Sequence, residues 1–162
     1  MRKKLFLLIL ISVIAFGGVY LFVKFNPPLE IGTLASSEDK KSIVVEVGNK
    51  GFWEVKIGDV LINNNEKPTK LKVQASNSLQ GFIITDDFNN KESKNYRFMN
   101  IHDVTLKAGT SPSSNYKKFD DGDASVKDKA YGISAIYTEP INRVHIKYSY
   151  LGLSFTHTVI YN

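Results

Sequence analysis

The chain has 162 residues, 43% of them hydrophobic, with 21 Lys and Arg against 16 Asp and Glu and no cysteine. The missing thiols exclude a disulfide-stapled scaffold, a cysteine zinc site, a cysteine nucleophile and an N-terminal thioether lipid. A formal charge of +5 raises nucleic acid or an anionic membrane as partners, so what matters is where the surplus sits.

It sits at the N-terminus. Arg2, Lys3 and Lys4 precede an uncharged run from Leu5 to Val23, and Lys24 closes it. As a helix that run spans roughly 28 Å, close to the ~30 Å hydrocarbon core of a bilayer. Pro27-Pro28 then ends it, since proline cannot continue a helix. From Glu30 onward 17 basic residues face 16 acidic ones, so the basic balance is a topology signal and gives nucleic acid no support as a partner. Basic residues gather on the cytoplasmic side of a span. Residues 1–25 therefore predict an anchor with the N-terminus in the cytoplasm and the rest of the chain outside, a single-pass protein of the cell envelope. The competing reading is a signal peptide cut near Ala15-Phe16-Gly17, which would release a secreted domain. The apolar run continues past Gly17 to Val23, which favours the anchor.

Residues 26–41, with two prolines, Gly32 and the run Glu38-Asp39-Lys40-Lys41, read as a stalk or linker. From Ser42 the signal becomes short β-type runs. Ile43 to Val47 is rich in β-branched residues and ends at Gly48-Asn49-Lys50-Gly51. Phe52 to Ile62 alternates and is interrupted by Gly58-Asp59, the mark of a bulge or short turn. Leu71 to Gln74, Gly81 to Thr85, Tyr96 to Leu106, Tyr131 to Thr138, Val144 to Tyr150 and Leu153 to Tyr161 follow, with Lys107 to Lys129 a polar loop. Outside the anchor no amphipathic helix is evident. Seven or eight short strands predict an all-β domain over 42–162, an immunoglobulin-like antiparallel β-sandwich. Trp53, Phe82, Phe98, Tyr148 and Phe155 fall in the strand-like runs and are expected in its core.

The last two runs predict their own register. With Leu151-Gly152 as the turn, Val144 meets Val159, Ile146 meets His157, Tyr148 meets Phe155 and Tyr150 meets Leu153. Between Val144 and Val159 every apolar strand side chain then lands on one face, and a slip of one residue would scatter them.

Few residues carry chemistry. In this register His145 and His157 point to opposite faces, and His102 lies in another run beside Asp103, so no histidine metal site is expected. Asp120, Asp121 and Asp123 around Gly122 form an acidic loop that is a weak candidate for Ca2+. It lacks the acid spacing and the closing glutamate of an EF-hand, and otherwise no cofactor is expected. No nucleophile elbow or phosphate loop occurs, which leaves no catalytic residue to nominate. Phe88, Tyr116 and Phe119 stand in polar loops without a local reason, and aromatics so placed can anchor a ligand or partner.

The run GNKGFWEVKIGDVLINNNEKP, residues 48–68, and the later YSYLGLSF, residues 148–155, resemble a group of uncharacterised membrane-anchored proteins of Gram-positive bacteria. The resemblance covers roughly residues 43–160. It implies a short N-terminal anchor and an immunoglobulin-like outer domain, and carries no activity. The expected function is non-catalytic: a membrane-anchored domain that binds an envelope protein, a wall polymer or a small ligand. The alternatives are an envelope hydrolase using loop carboxylates or a bound ion, and a passive subunit of a membrane complex, its helix packing through Gly17-Gly18.

Overall fold

The structure, a computed structural model, describes residues 2–161. Helix α1 (Arg2–Phe25) is followed by β1 (Leu29–Ser36), β2 (Ser42–Asn49), β3 (Val55–Ile62), β4 (Lys70–Asn77), β5 (Arg97–Met99) and β6 (Thr105–Leu106). A short helix, α2 (Pro112–Asp120), then leads to β7 (Lys129–Ile136), β8 (Arg143–Tyr150) and β9 (Leu153–Ile160). Helix α1 is long and apolar enough to cross a membrane, a description that an anchor and a signal sequence share.

Among the described residues nine strands form two antiparallel sheets, one ordered β1-β2-β7-β4-β5 and the other β6-β3-β8-β9. Their inward residues make one apolar core, with Ile43, Val45, Val47 and Ile133 from the first sheet against Val55, Val60 and Ile146 from the second. Each of these buried side chains contributes about 1.5–3 kcal/mol relative to exposure. The β8–β9 hairpin has the register its alternation predicts, Val144 opposite Val159 through Tyr150 opposite Leu153. Leu151 and Gly152 both take positive φ, 51° and 77°, the geometry of a tight two-residue turn that matches strand twist. The β3–β8 ladder shifts between Ile57 and Asp59, so Gly58 marks a bulge.

Four expectations are corrected. Residues 26–41 do not form a stalk: β1 lies within them and pairs with β2. The period hides because the ladder slips between Ile31 and Leu34. Those two residues therefore both face the core, three positions apart. Gly81 to Thr85 is no strand. The buried Gln74 side chain donates to the Ile83 carbonyl (2.7 Å) and accepts from the Ile83 amide (3.0 Å), so one glutamine pins this segment where a ladder would. The stretch from Lys107 to Lys129 contains α2, started by Ser111, whose hydroxyl accepts from the Ser114 amide, and by Pro112 in its first turn. Of the five aromatics expected in the core, Tyr148 joins it and Phe155 packs against it, while Trp53, Phe82 and Phe98 do not. β3 begins only at Val55, and Phe52 and Trp53 are 66% and 59% exposed.

Candidate functional site

All eight residues of β2 are buried. Alternate positions face the core, so the others need a second cover, and they have one. Val44, Glu46 and Gly48 point to the outer face of the first sheet, where α2 and the segment 78–84 lie over them. Between cover and sheet runs a trough of about 420 Å³, floored by Val44, Glu46 and Ala130, walled by Phe82 and Ile84, and rimmed by Tyr116 and Phe119 of α2.

The cover fits the sheet closely because glycines lie beneath it. A Cβ on Gly48 would stand 2.0 Å from the Thr110 carbonyl oxygen, and one on Gly132 would stand 2.8 Å from the Phe82 ring. On β1, a Cβ at Gly32 would lie 2.5 Å from Oε2 of Glu46 and 2.7 Å from Cβ of Pro112. Helix α2 is held down at several points. The Ser113 amide donates to Oε1 of Glu30 (2.8 Å), an acid placed at the positive end of the helix. The Asn115 amide group donates to the Lys129 carbonyl (3.0 Å).

Glu46 is the unusual member. It is only 5% exposed, and its Oε2 accepts from the Thr33 amide (3.1 Å) and from the Tyr116 hydroxyl. Thr33 Oγ1 lies 2.8 Å from that same hydroxyl. Two ion pairs form among the described residues, Lys70 with Asp87 and Lys118 with Asp128; Glu46 is in neither. A carboxylate removed from water without a cation is costly unless its lone pairs are filled. Burial, and then the Glu46 carboxylate, push the Tyr116 phenol above its ordinary pKa, so it stays protonated and donates. Apart from Glu46 and Tyr116 the trough lining carries no titratable side chain. The site thus offers a mostly apolar channel, one acid at its floor and no countercharge for an anion.

Of the residues singled out from sequence, Tyr116 and Phe119 lie on the rim of this trough, brought to one side by their i, i+3 spacing on α2. Phe88 does not join them; its ring packs on Phe98 with centroids 4.8 Å apart. Asp120, Asp121 and Asp123 are exposed around the C-terminal end of α2, and among the described residues no three His, Cys, Asp or Glu side chains converge as a metal site would require. Asp128 caps the Ser125 amide (2.8 Å) and pairs with Lys118. His145 bonds Thr158 Oγ1 (2.9 Å), while His157 lies half-buried on the other face. Lys3, Lys4 and Lys24 lie on α1 with Arg2 at its start.

Sequence reasoning missed Glu46. The available signal was an acid set inside Ile-Val-Val-Glu-Val, where the neighbour two residues away on its own face is valine rather than a polar residue. Comparison with protein families, with curated proteins and with solved structures finds no match for the chain.

Proposed function

We propose that the chain is a single-pass, membrane-anchored binding protein of the cell envelope, its N-terminus cytoplasmic and its domain outside. In this reading the domain takes a small ligand with an apolar body and a neutral or cationic head in the trough under α2. The observation that carries it is Glu46, bonded to Thr33 and Tyr116 but to no cation, at the floor of a mostly apolar channel. A cation or hydrogen-bond donor entering there would relieve a buried charge, whereas an anion would meet it. Tyr116, held protonated, is a donor and not a base at neutral pH, which supports binding over hydrolysis. The immunoglobulin-like assignment is supported by strand order. With β1, β2, β3, β4, β7, β8 and β9 taken as strands A to G, the sheets read ABED and CFG, the constant-type arrangement. β5 and β6 lie in an insertion between D and E.

The test is thermal unfolding of the full chain in neutral detergent micelles with hexylamine, hexanol or hexanoate. A ligand at about ten times its Kd adds about 1.4 kcal/mol of stability. Hexylamine and hexanol should raise the melting temperature, hexanoate should not, and Ala35→Phe, which fills the trough beside Thr33, should abolish the rise. A response to hexanoate equal to that of hexylamine, or one that survives Ala35→Phe, defeats the proposal.

A further inference from the structure

The end of the domain that receives α1 carries a second feature. Only Asn26, Pro27 and Pro28 separate Phe25 from β1, a reach of about 10 Å at most. Val23, in the last turn of α1, is 1% exposed and belongs to the domain's apolar core. The turn between β2 and β3 lies at the same place: the Lys50 amide donates to the Pro28 carbonyl (3.0 Å), and a Cβ on Gly51 would stand 2.8 Å from Cβ of Pro28. This turn presents Phe52 and Trp53 to solvent.

The exposure is built. Asn49, fully buried, accepts from the Gly51 amide (2.8 Å) and donates to the carbonyls of Trp53 (2.6 Å) and Leu106 (2.9 Å). The Tyr150 hydroxyl accepts from the amides of Phe52 (3.1 Å) and Trp53 (3.3 Å). The backbone is thereby satisfied from within and holds two large aromatic side chains outward, the Phe52 ring edge-on to Tyr150 with centroids 5.8 Å apart. Lys50 precedes them and Lys107 flanks them. Strand register brings two more exposed apolar residues to this end. Asn77 pairs with Lys129 and Val47 with Tyr131, so Leu79 and Val126, just beyond those strand ends, are 55% and 71% exposed there. Tryptophan and other aromatics flanked by lysine favour the headgroup layer of a bilayer.

We infer that the Lys50–Glu54 turn seats the domain on the bilayer, with Phe52 and Trp53 entering the headgroup layer beside the end of α1. The inference rests on α1 remaining as an anchor. The occupant of this surface is lipid because the surface is continuous with the segment that enters the membrane.

Trp53 is the single tryptophan of the chain, so its emission reads this site alone. The full chain is reconstituted in phosphatidylcholine–phosphatidylglycerol vesicles bearing a nitroxide either just below the headgroup or at the acyl-chain end. Quenching by the shallow nitroxide should exceed that by the deep one at least about two-fold, as an interfacial ring requires. Acrylamide should quench Trp53 less than it quenches a free tryptophan analogue, and Phe52→Ser, which keeps the reporter, should weaken the shallow quenching. Extraction of the chain by alkaline carbonate would overturn the anchor reading itself. A carbonate-resistant chain whose Trp53 meets acrylamide freely and no nitroxide would overturn the seat alone. A Trp53 shielded from acrylamide yet not quenched by nitroxide would place protein there and also overturn it.

Discussion

Asn49 ties together the sheet, the aromatic turn and β6, and its removal tests how the domain holds that end. Asn49→Leu keeps the branching and number of heavy atoms but ends three hydrogen bonds. The Leu106 carbonyl is fully buried at its bond; the Trp53 carbonyl and Gly51 amide are partly buried. An orphaned buried group costs about 1–3 kcal/mol. Counting about 2 for Leu106 and about 1 for each of the others, less about 1 regained by the apolar side chain, the loss is about 3 kcal/mol. With a urea slope of about 1.5 kcal/mol/M, the midpoint should fall by about 2 M. Asn49→Asp keeps the acceptor for Gly51 but turns a carboxylate toward two carbonyl oxygens, and should lower the midpoint further. The assay is urea unfolding of the full chain in neutral detergent micelles followed by Trp53 emission. A midpoint for Asn49→Leu within about 0.3 M of the parent would refute the view that this side chain organises the turn.

Two other outcomes follow from the same physical picture. Gly32→Ala puts a methyl group into Oε2 of Glu46 and Cβ of Pro112, so it should cost about 1–3 kcal/mol. It should also speed amide exchange in Asn115–Phe119 while leaving β8–β9 unchanged; unaltered exchange in α2 would show that the helix is not pressed on the sheet. His157 has its pKa lowered from 6.5 by burial. The unfolded chain therefore takes up the proton first as pH falls. Stability from this site is whole above about pH 6.5 and declines from there toward the lower folded value. His157→Gln should flatten that decline between about pH 7.5 and 5.5 in urea midpoints, and a decline unchanged by the substitution would assign it to other groups.

What the sequence made legible was whatever had one period and two distinct faces. The β8–β9 hairpin alternates cleanly because β9 is a sheet edge with one face in water, and its register followed at once. The N-terminal apolar helix was equally plain from its uninterrupted run. β1 was invisible because a slipped ladder sets its core residues three apart, and β2 gave its existence but not its cover, since both of its faces are buried. α2 carried its signals, Ser111-Pro112 before and Gly122 after, but only Tyr116 and Phe119 break its polarity, too few for a helical stripe to stand out. The trough was half legible: those two aromatics looked misplaced, while the acid they cover depends on a sheet face that no local pattern announces.

If α1 stays in the membrane as proposed, the three residues between it and β1 also fix a search volume. A domain tied that closely, with Val23 of the helix in its core, cannot rise from the membrane, and its strands of eight residues are about 27 Å long. Anything the trough meets must therefore come within roughly one strand length of the bilayer. A tether of this kind trades reach for local concentration: amphiphiles that collect at a membrane surface are met often, and polymers farther out are met hardly at all. β1 is both the first element after the tether and, through Thr33 and Ala35, a wall of the trough, so in that reading the distance of the trough from the lipid is set by the fold itself.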